Sequence, residues 1–146
     1  MEVENAGSQE MTYEIALHSY LHVQDVREVT LVGLDGTSYY DKVHQREDTQ
    51  TGDLHITQAQ DRIYRSPGPV RVVDPGLDRE LVVSSTGAAN TVIWNPGPDG
   101  AAGMKDFGDD EWTAVVCVES ACVGSSAVRL APGAAHRTGT RIEVSA

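Results

Sequence analysis

The chain has 146 residues, of which 40% are hydrophobic and 23% charged, a composition that suits one globular domain with a buried core and excludes global disorder. Eleven Lys and Arg against 22 Asp and Glu give a net charge of −11, and this negative field repels nucleic acid and anionic membranes. No run reaches the roughly 20 continuous apolar residues of a membrane span. Residues 1–5 are acidic and polar rather than basic and apolar as in a signal peptide, so we expect a cytoplasmic protein.

Short β-branched runs with period-2 alternation, separated by Gly, Pro, Asp and Asn, dominate the chain. They predict strands at 12–23, 28–32, 37–43, 54–57, 62–65, 70–73, 79–85, 90–94, 112–119, 126–130 and 136–144. Repeated short strands with turn signals between them predict an antiparallel β-sandwich or barrel. The only candidate for helix is a single turn at 101–106.

The first residues predict a strand that is already ending, because Val3 is followed by a turn-like segment at 4–8. A domain that began there would leave a sheet edge unpaired. We therefore expect residues 1–146 to be the C-terminal portion of a larger β-sandwich domain, with self-association through that edge as one consequence.

The first long predicted strand, 12–23, has an apolar face and a polar face, and the polar face carries two histidines. Imidazole is the side chain best suited to moving protons near neutral pH, which makes His18 a candidate acid or base. The alternative is a solvated outer face. A shared metal ion is not expected, since His18 and His22 would lie about 13 Å apart on one strand.

Three residues on the next strands are candidates for binding a polar ligand. Asp61, just before strand 62–65, predicts either a carboxylate that accepts hydrogen bonds from ligand hydroxyls or a turn cap. Trp94 and Asn95, at the end of strand 90–94, predict a sugar-binding position, although a tryptophan there is also typical of a core. The acidic run 109–111 lacks the spacing of a metal loop and predicts a solvated turn.

Strand 112–119 is apolar on both faces, which is typical of an interior strand, and Glu119 closes it. Desolvation of a carboxyl group there would raise its pKa toward the range useful to a general base. The alternative is a glutamate that emerges into a loop or pairs with an arginine. Cys117 and Cys122 are too few for a disulfide framework and predict two buried, reduced, unreactive thiols.

Taken in order along nearly the whole chain, a set of segments resembles the hexose-6-phosphate mutarotases (glucose-6-phosphate 1-epimerases) of the aldose 1-epimerase-like superfamily. The segments are ALHSY (16–20), VGL (32–34), YDKV (40–43), DRIY (61–64), VIWNP (92–96), MKDF (104–107) with DD (109–110), and VCVESA (116–121).

The resemblance implies an antiparallel β-sandwich of the galactose mutarotase type with a concave sugar-binding face. It implies that His18 protonates the ring oxygen, that Glu119 takes the proton of the anomeric hydroxyl and that Asp61 binds substrate. The implied reaction interconverts the α and β anomers of a hexose 6-phosphate or another aldose without metal or other cofactor. Only the second half of such a protein is matched, and none of the arginines at 27, 62, 65 and 71 matches the phosphate clamp of the first half.

Two alternatives therefore stay open at the level of sequence. The first is a non-catalytic carbohydrate-binding β-sandwich, which would bind sugar even without Glu119. The second is an inactive truncated homologue.

Overall fold

The computed structural model describes residues 1–146 as short strands joined by loops, with one α-helix. The strands are β1 (Glu2–Glu4), β2 (Met11–Tyr13), β3 (Ile15–Leu17), β4 (Tyr20–His22), β5 (Thr30–Val32), β6 (Ser38–Asp41), β7 (Arg46–Thr49), β8 (Leu54–His55), β9 (Gln60–Tyr64), β10 (Val70–Asp74), β11 (Arg79–Thr86), β12 (Asn90–Asn95), β13 (Val115–Cys122), β14 (Val128–Leu130), β15 (Ala135–Arg137) and β16 (Gly139–Ser145). Helix α1 is Gly97–Gly103, and 3₁₀ turns occupy Pro75–Leu77, Glu111–Ala114 and Gly124–Ser126.

Two antiparallel sheets form the body of the molecule. One has five strands in the order β16-β11-β10-β5-β8. The other has seven, in the order β3-β13-β12-β9-β6-β7, with β4 also pairing with β13. The predicted all-β, antiparallel sandwich architecture is confirmed.

The core lies between these two sheets, because alternate residues of their strands point toward each other. The five-stranded sheet contributes residues such as Leu31 and Val72, and the seven-stranded sheet contributes Tyr64, Ile93 and Val118. All five belong to one cluster of 17 buried residues. Since the inner face of the seven-stranded sheet is used by the core, its outer face is available for a ligand.

The predicted strand 12–23 is wrong as a single element, because the chain breaks twice within it and changes partner once. β2 pairs with β14 in a separate two-stranded sheet, whereas β3 and β4 both pair with β13. A break at 18–19 separates β3 from β4. The alternation survives the breaks, since each short piece buries every second residue, and sequence pattern alone therefore gave no sign of them.

Other boundaries also differ from prediction. The interior strand begins at Val115 rather than 112, because residues 111–114 form a 3₁₀ turn. The helix begins at Gly97 rather than 101, after Pro96 and with Pro98 and Asp99 in its first turn, both of which favour a helix start. β7 was not predicted, since its four residues are all exposed and three are charged, as is common for an edge strand.

The outer strands of both sheets keep an unpaired edge. β16 is one of them, and it exposes Ile142 and Val144. Self-association through such an edge stays a prediction. No helix in the molecule has the length and apolarity required to span a bilayer.

Candidate functional site

A cleft of about 530 Å³ lies on the outer face of the seven-stranded sheet. Its floor consists of alternate residues of the central strands, and its walls come from the residues around β3 and from the loop after β13. The lining residues are Glu14, Ala16, His18, Tyr40, Lys42, Asp61, Ile63, Val92, Trp94, Glu119, Val123 and Gly124.

The register of the sheet places the two predicted acid–base residues side by side. Directly paired residues of neighbouring strands share a face of the sheet. Val92 of β12 pairs with Glu119 of β13, and on the other side of β13 Ser120 pairs with Leu17. The residues next to this last pair, Glu119 and His18, therefore meet on the cleft face.

The His18 Nε2 atom lies 3.2 Å from the Glu119 Oε1 atom. Of the two side chains, that of Glu119 is 5% exposed and that of His18 is 39% exposed, so the carboxylate forms the base of the cleft and the imidazole its rim. The prediction that Glu119 closes its strand is wrong, because Glu119 lies within β13. Neither alternative predicted for it, a loop position or pairing with an arginine, is what the structure shows.

Burial changes the proton affinity of both members of this pair. Desolvation raises the pKa of Glu119 to about 7, with the negative charge of Asp61 adding to the rise and Lys42 opposing it. Desolvation also lowers the pKa of His18, against an opposing effect of Asp61. Desolvation therefore favours the neutral form of both side chains.

Asp61 lies in the floor of the cleft, with its Oδ2 atom 2.9 Å from the Lys42 Nζ atom. It belongs to β9 rather than preceding a strand, so the interpretation as a turn cap is wrong. Lys42 and Tyr40 were not singled out from the sequence. The alternation in 37–43 could have indicated them, because Tyr39 and Asp41 are buried on the opposite face.

Trp94 lines the cleft, and its surroundings are aromatic. Its ring lies edge to face with the imidazole of His18 at 5.5 Å between centroids, and in T-shaped contacts with Tyr20 and Phe107. It is partly exposed and outside the core cluster, so the alternative prediction of a core tryptophan is wrong.

Asn95 is not brought into the cleft. It follows Trp94 on β12 and therefore faces the opposite side of the sheet, where its side chain is fully buried. Its Nδ2 atom donates to the carbonyl oxygens of Trp112 and Val115, and its Oδ1 atom accepts from the Gly97 N–H. These bonds fix the path into α1, where Gly97 has a φ of +64° and a Cβ atom would come within 2.7 Å of the Ala59 backbone.

The remaining candidates lie elsewhere or have no site geometry. His22 does not line the cleft, and no group of three or more His, Cys, Asp or Glu side chains is placed to hold a metal ion. Residues 109–110 form a turn that leads into the 3₁₀ turn at Glu111–Ala114. Cys117 and Cys122 are free and buried, as predicted, and burial raises the pKa of Cys117 to about 12, which keeps its thiol protonated.

Comparison with known proteins agrees with this fold. The profile of the aldose 1-epimerase family matches residues 1–143. The chain belongs to the aldose 1-epimerase family. A "Putative glucose-6-phosphate 1-epimerase" of Cenchrus ciliaris is 33% identical over 132 residues, which are 88% of this chain and 40% of that protein. One of the same name from Escherichia coli K12 is 36% identical over 124 residues, 83% of this chain and 41% of that protein.

Solved structures give the same fold. A "putative mutarotase" from Salmonella typhimurium superposes with a TM-score of 0.83 at 30% identity, over 98% of this chain and 48% of the other. A galactose mutarotase-like protein from Lactobacillus casei, at 12% identity, shares the fold with a TM-score of 0.71 over 99% of this chain and 57% of the other. The chain spans about two fifths of the length of the curated relatives named above.

Proposed function

We propose that this chain carries the acid–base pair of an aldose mutarotase that interconverts the α and β anomers of a hexose 6-phosphate. The single observation that supports the chemistry is the contact of His18 Nε2 with Glu119 Oε1 at the base of a cleft large enough for a small ligand. The hexose 6-phosphate is supported by the names of the relatives, which are 33% and 36% identical to this chain.

The reaction needs one acid and one base next to a single carbon atom. Both the anomeric hydroxyl and the ring oxygen are bonded to C1, so two adjacent protein groups can serve them together. Glu119 takes the proton of the anomeric hydroxyl while protonated His18 donates a proton to the ring oxygen, and the C1–O5 bond breaks to give the open-chain aldehyde. After rotation about the C1–C2 bond, neutral His18 removes the proton from the O5 hydroxyl, protonated Glu119 returns one to the carbonyl oxygen, and the ring closes.

The proton affinities of the pair suit a reaction that runs in both directions. Ring opening starts from charged His18 and charged Glu119, and ring closure starts from the neutral forms of both. The two states contain the same single proton, so a reversible catalyst works best when neither state is strongly favoured. A Glu119 pKa raised to about 7 makes the protonated carboxyl group accessible at neutral pH, and the lowered His18 pKa favours the neutral imidazole that ring closure requires.

The rest of the cleft supports sugar binding. Asp61 offers carboxylate oxygens to sugar hydroxyls, and the partly exposed face of Trp94 suits the C–H face of a pyranose. A smaller cavity of about 290 Å³ adjoins the cleft, and its lining includes Arg65, which is paired with Glu47. Because Arg65 and Lys42 both have carboxylate partners, we expect this chain alone to discriminate little between glucose 6-phosphate and glucose.

Two-dimensional exchange NMR on the anomeric protons tests the proposal. The protein should produce α–β cross-peaks of glucose 6-phosphate within a mixing time in which buffer alone produces none. His18→Gln and Glu119→Gln should each reduce the exchange rate by roughly 10²–10⁴-fold. The matched controls His55→Gln, on the other sheet, and Glu143→Gln, on β16, should leave it unchanged.

Two outcomes would overturn the proposal. Exchange that survives both Gln substitutions would place the chemistry elsewhere. Sugar binding, seen as chemical-shift changes in the cleft residues, without any exchange would instead support the non-catalytic carbohydrate-binding alternative.

A further inference from the structure

No hydrogen bond from Nδ1 sets the orientation of the His18 imidazole. A histidine that acts on a substrate usually has its other ring nitrogen bonded to a carbonyl or carboxylate, which fixes the ring. Two other histidines have hydrogen-bond partners at Nδ1, namely the Asp41 carboxylate for His44 and the Tyr13 hydroxyl for His136. His18 contacts Glu119 through Nε2 and has no partner within the chain at Nδ1. Something other than hydrogen bonding must therefore hold this ring.

Two aromatic side chains pack against the His18 imidazole. The ring of Tyr20 is stacked on the imidazole with 4.7 Å between centroids and 25° between planes, while Trp94 presses on it edge to face. The break between β3 and β4 falls at residues 18–19, so His18 is not in a regular strand and its ring can lie against that of Tyr20. Tyr20 itself is 56% exposed, so core packing does not explain a large aromatic residue at this position.

We propose that Tyr20 is a positioning residue, which holds the His18 imidazole toward Glu119 and stabilises its protonated form through the face of its ring. This inference rests on the proposed acid–base function of the same site. A cation within about 6 Å of an aromatic centroid is attracted by the negative face of the ring, and the stacked imidazolium meets this condition. Burial and the nearby Cys117, Glu119 and Asp106 raise the pKa of the Tyr20 phenol, so the ring stays neutral.

Other groups near His18 also affect its charge, and the test must separate them from Tyr20. Glu119 on β13 contacts it directly, and Asp61 on β9 favours its charged form. Lys42 on β6 is paired with Asp61, and Glu14 lines the cleft just before β3. Burial lowers the His18 pKa more than any of these charges shifts it, so a comparison of rings of the same size at position 20, which keeps the burial, isolates the contribution of the aromatic face.

The experiment follows the pH titration of the His18 ring by ¹⁵N NMR, together with the anomer exchange rate, in variants of the chain. Tyr20→Phe keeps the aromatic ring and should leave the His18 pKa and the exchange rate unchanged. Tyr20→Leu keeps bulk without a π face, and Tyr20→pentafluorophenylalanine keeps the ring shape but reverses its charge distribution. Both should lower the His18 pKa by about 0.5 and the exchange rate by up to about tenfold.

The control is Tyr13→Leu, which removes the aromatic partner of a different histidine, His136, and should leave the titration of His18 unchanged. If the Leu variant fails to fold, the Phe and pentafluorophenylalanine variants still test the role of the ring face, because their side chains have nearly the same shape. A His18 pKa that is equal in these two variants would overturn the role of the ring face. Since the titration is read without substrate, it tests Tyr20 even if the chain shows no anomer exchange.

Discussion

Two buried carboxylates of the seven-stranded sheet each contact a histidine, yet their proton affinities move in opposite directions. On the cleft face, Glu119 contacts His18 at 3.2 Å, and its pKa is raised to about 7. On the opposite face, Asp41 contacts His44 at 3.1 Å, and its pKa is lowered. Both side chains are at least 95% buried, so burial alone does not explain the difference.

The number of donors around each carboxylate explains it. Asp41 accepts from the backbone N–H and the ring of His44, and from Arg62, whose guanidinium also lies 4.6 Å from the centre of the Tyr39 ring. These partners outweigh the cost of burying the charge. Glu119 has His18 as its one close partner and the negative Asp61 nearby, so its charged form stays costly. Asp41 is therefore a fixed structural anion, and Glu119 is a group that can exchange a proton.

The largest effect should come from breaking the cleft pair. Glu119→Gln should reduce anomer exchange by roughly 10²–10⁴-fold, because the amide cannot accept the anomeric proton. Asp41→Asn, measured in the same exchange NMR assay at a temperature where the protein stays folded, should reduce it much less. Equal losses from the two substitutions would mean that the two carboxylates do not differ in role.

Arg62→Met should destabilise the fold by about 3 kcal/mol, since it leaves the Asp41 carboxylate buried without its cation. Urea denaturation at pH 7 measures this. The matched control is Arg71→Met on β10, where the ion pair with Glu80 is exposed and should contribute less than about 1 kcal/mol. A loss for Arg62→Met no larger than that of the control would contradict the structural role of Asp41.

Glu119→Gln should also stabilise the fold at alkaline pH. A raised folded-state pKa means that stability is fully present below the unfolded value of 4.5 and is lost as pH rises through about 7. The amide avoids this loss, which is at most about 3 kcal/mol for a shift of this size. Thermal unfolding should show a higher Tm for the variant at pH 8.5 and no gain at pH 4. A gain independent of pH would contradict the raised pKa.

Lys42→Met should shift the pH dependence of exchange upward. Exchange needs one proton on the His18–Glu119 pair, so the rate falls at low pH, where the pair holds two protons, and at high pH, where it holds none. Both limbs of the pH–rate profile therefore report the pKa values of the pair. Removing Lys42 leaves Asp61 uncompensated, which raises both pKa values and moves both limbs to higher pH. Lys42→Arg should leave the profile unchanged, and a shift equal to that of the Met variant would show that charge is not the cause.

The smallest effect should come from His44→Gln. The side chain of His44 is 46% exposed, so its contact with Asp41 should contribute about 1 kcal/mol or less, while its backbone N–H bond remains. Urea denaturation at pH 7 should show this small loss. A loss as large as that for Arg62→Met would mean that the imidazole, rather than the guanidinium, compensates the buried carboxylate.

The amino-acid sequence by itself determined the class of fold, and it indicated His18 and Glu119 as candidate site residues. Side chains of a strand point to alternate faces, so a strand with one buried face shows apolar residues at every second position. This pattern predicted the strands near His18, Asp61 and Glu119. The ends of the strands could not be predicted from the sequence, because the alternation continues through the breaks at 14 and 18–19. The edge strand β7 could not be predicted either, because it is charged and has no apolar face.

Only the tertiary structure decided which candidates share a cleft. The register of β13 against β3 brings Glu119 next to His18, and that register depends on pairing between segments about a hundred positions apart, which local pattern does not encode. The place of β12 in the sheet turns Asn95 into the interior while its neighbour Trp94 faces the cleft, since adjacent residues of a strand point to opposite faces of the sheet.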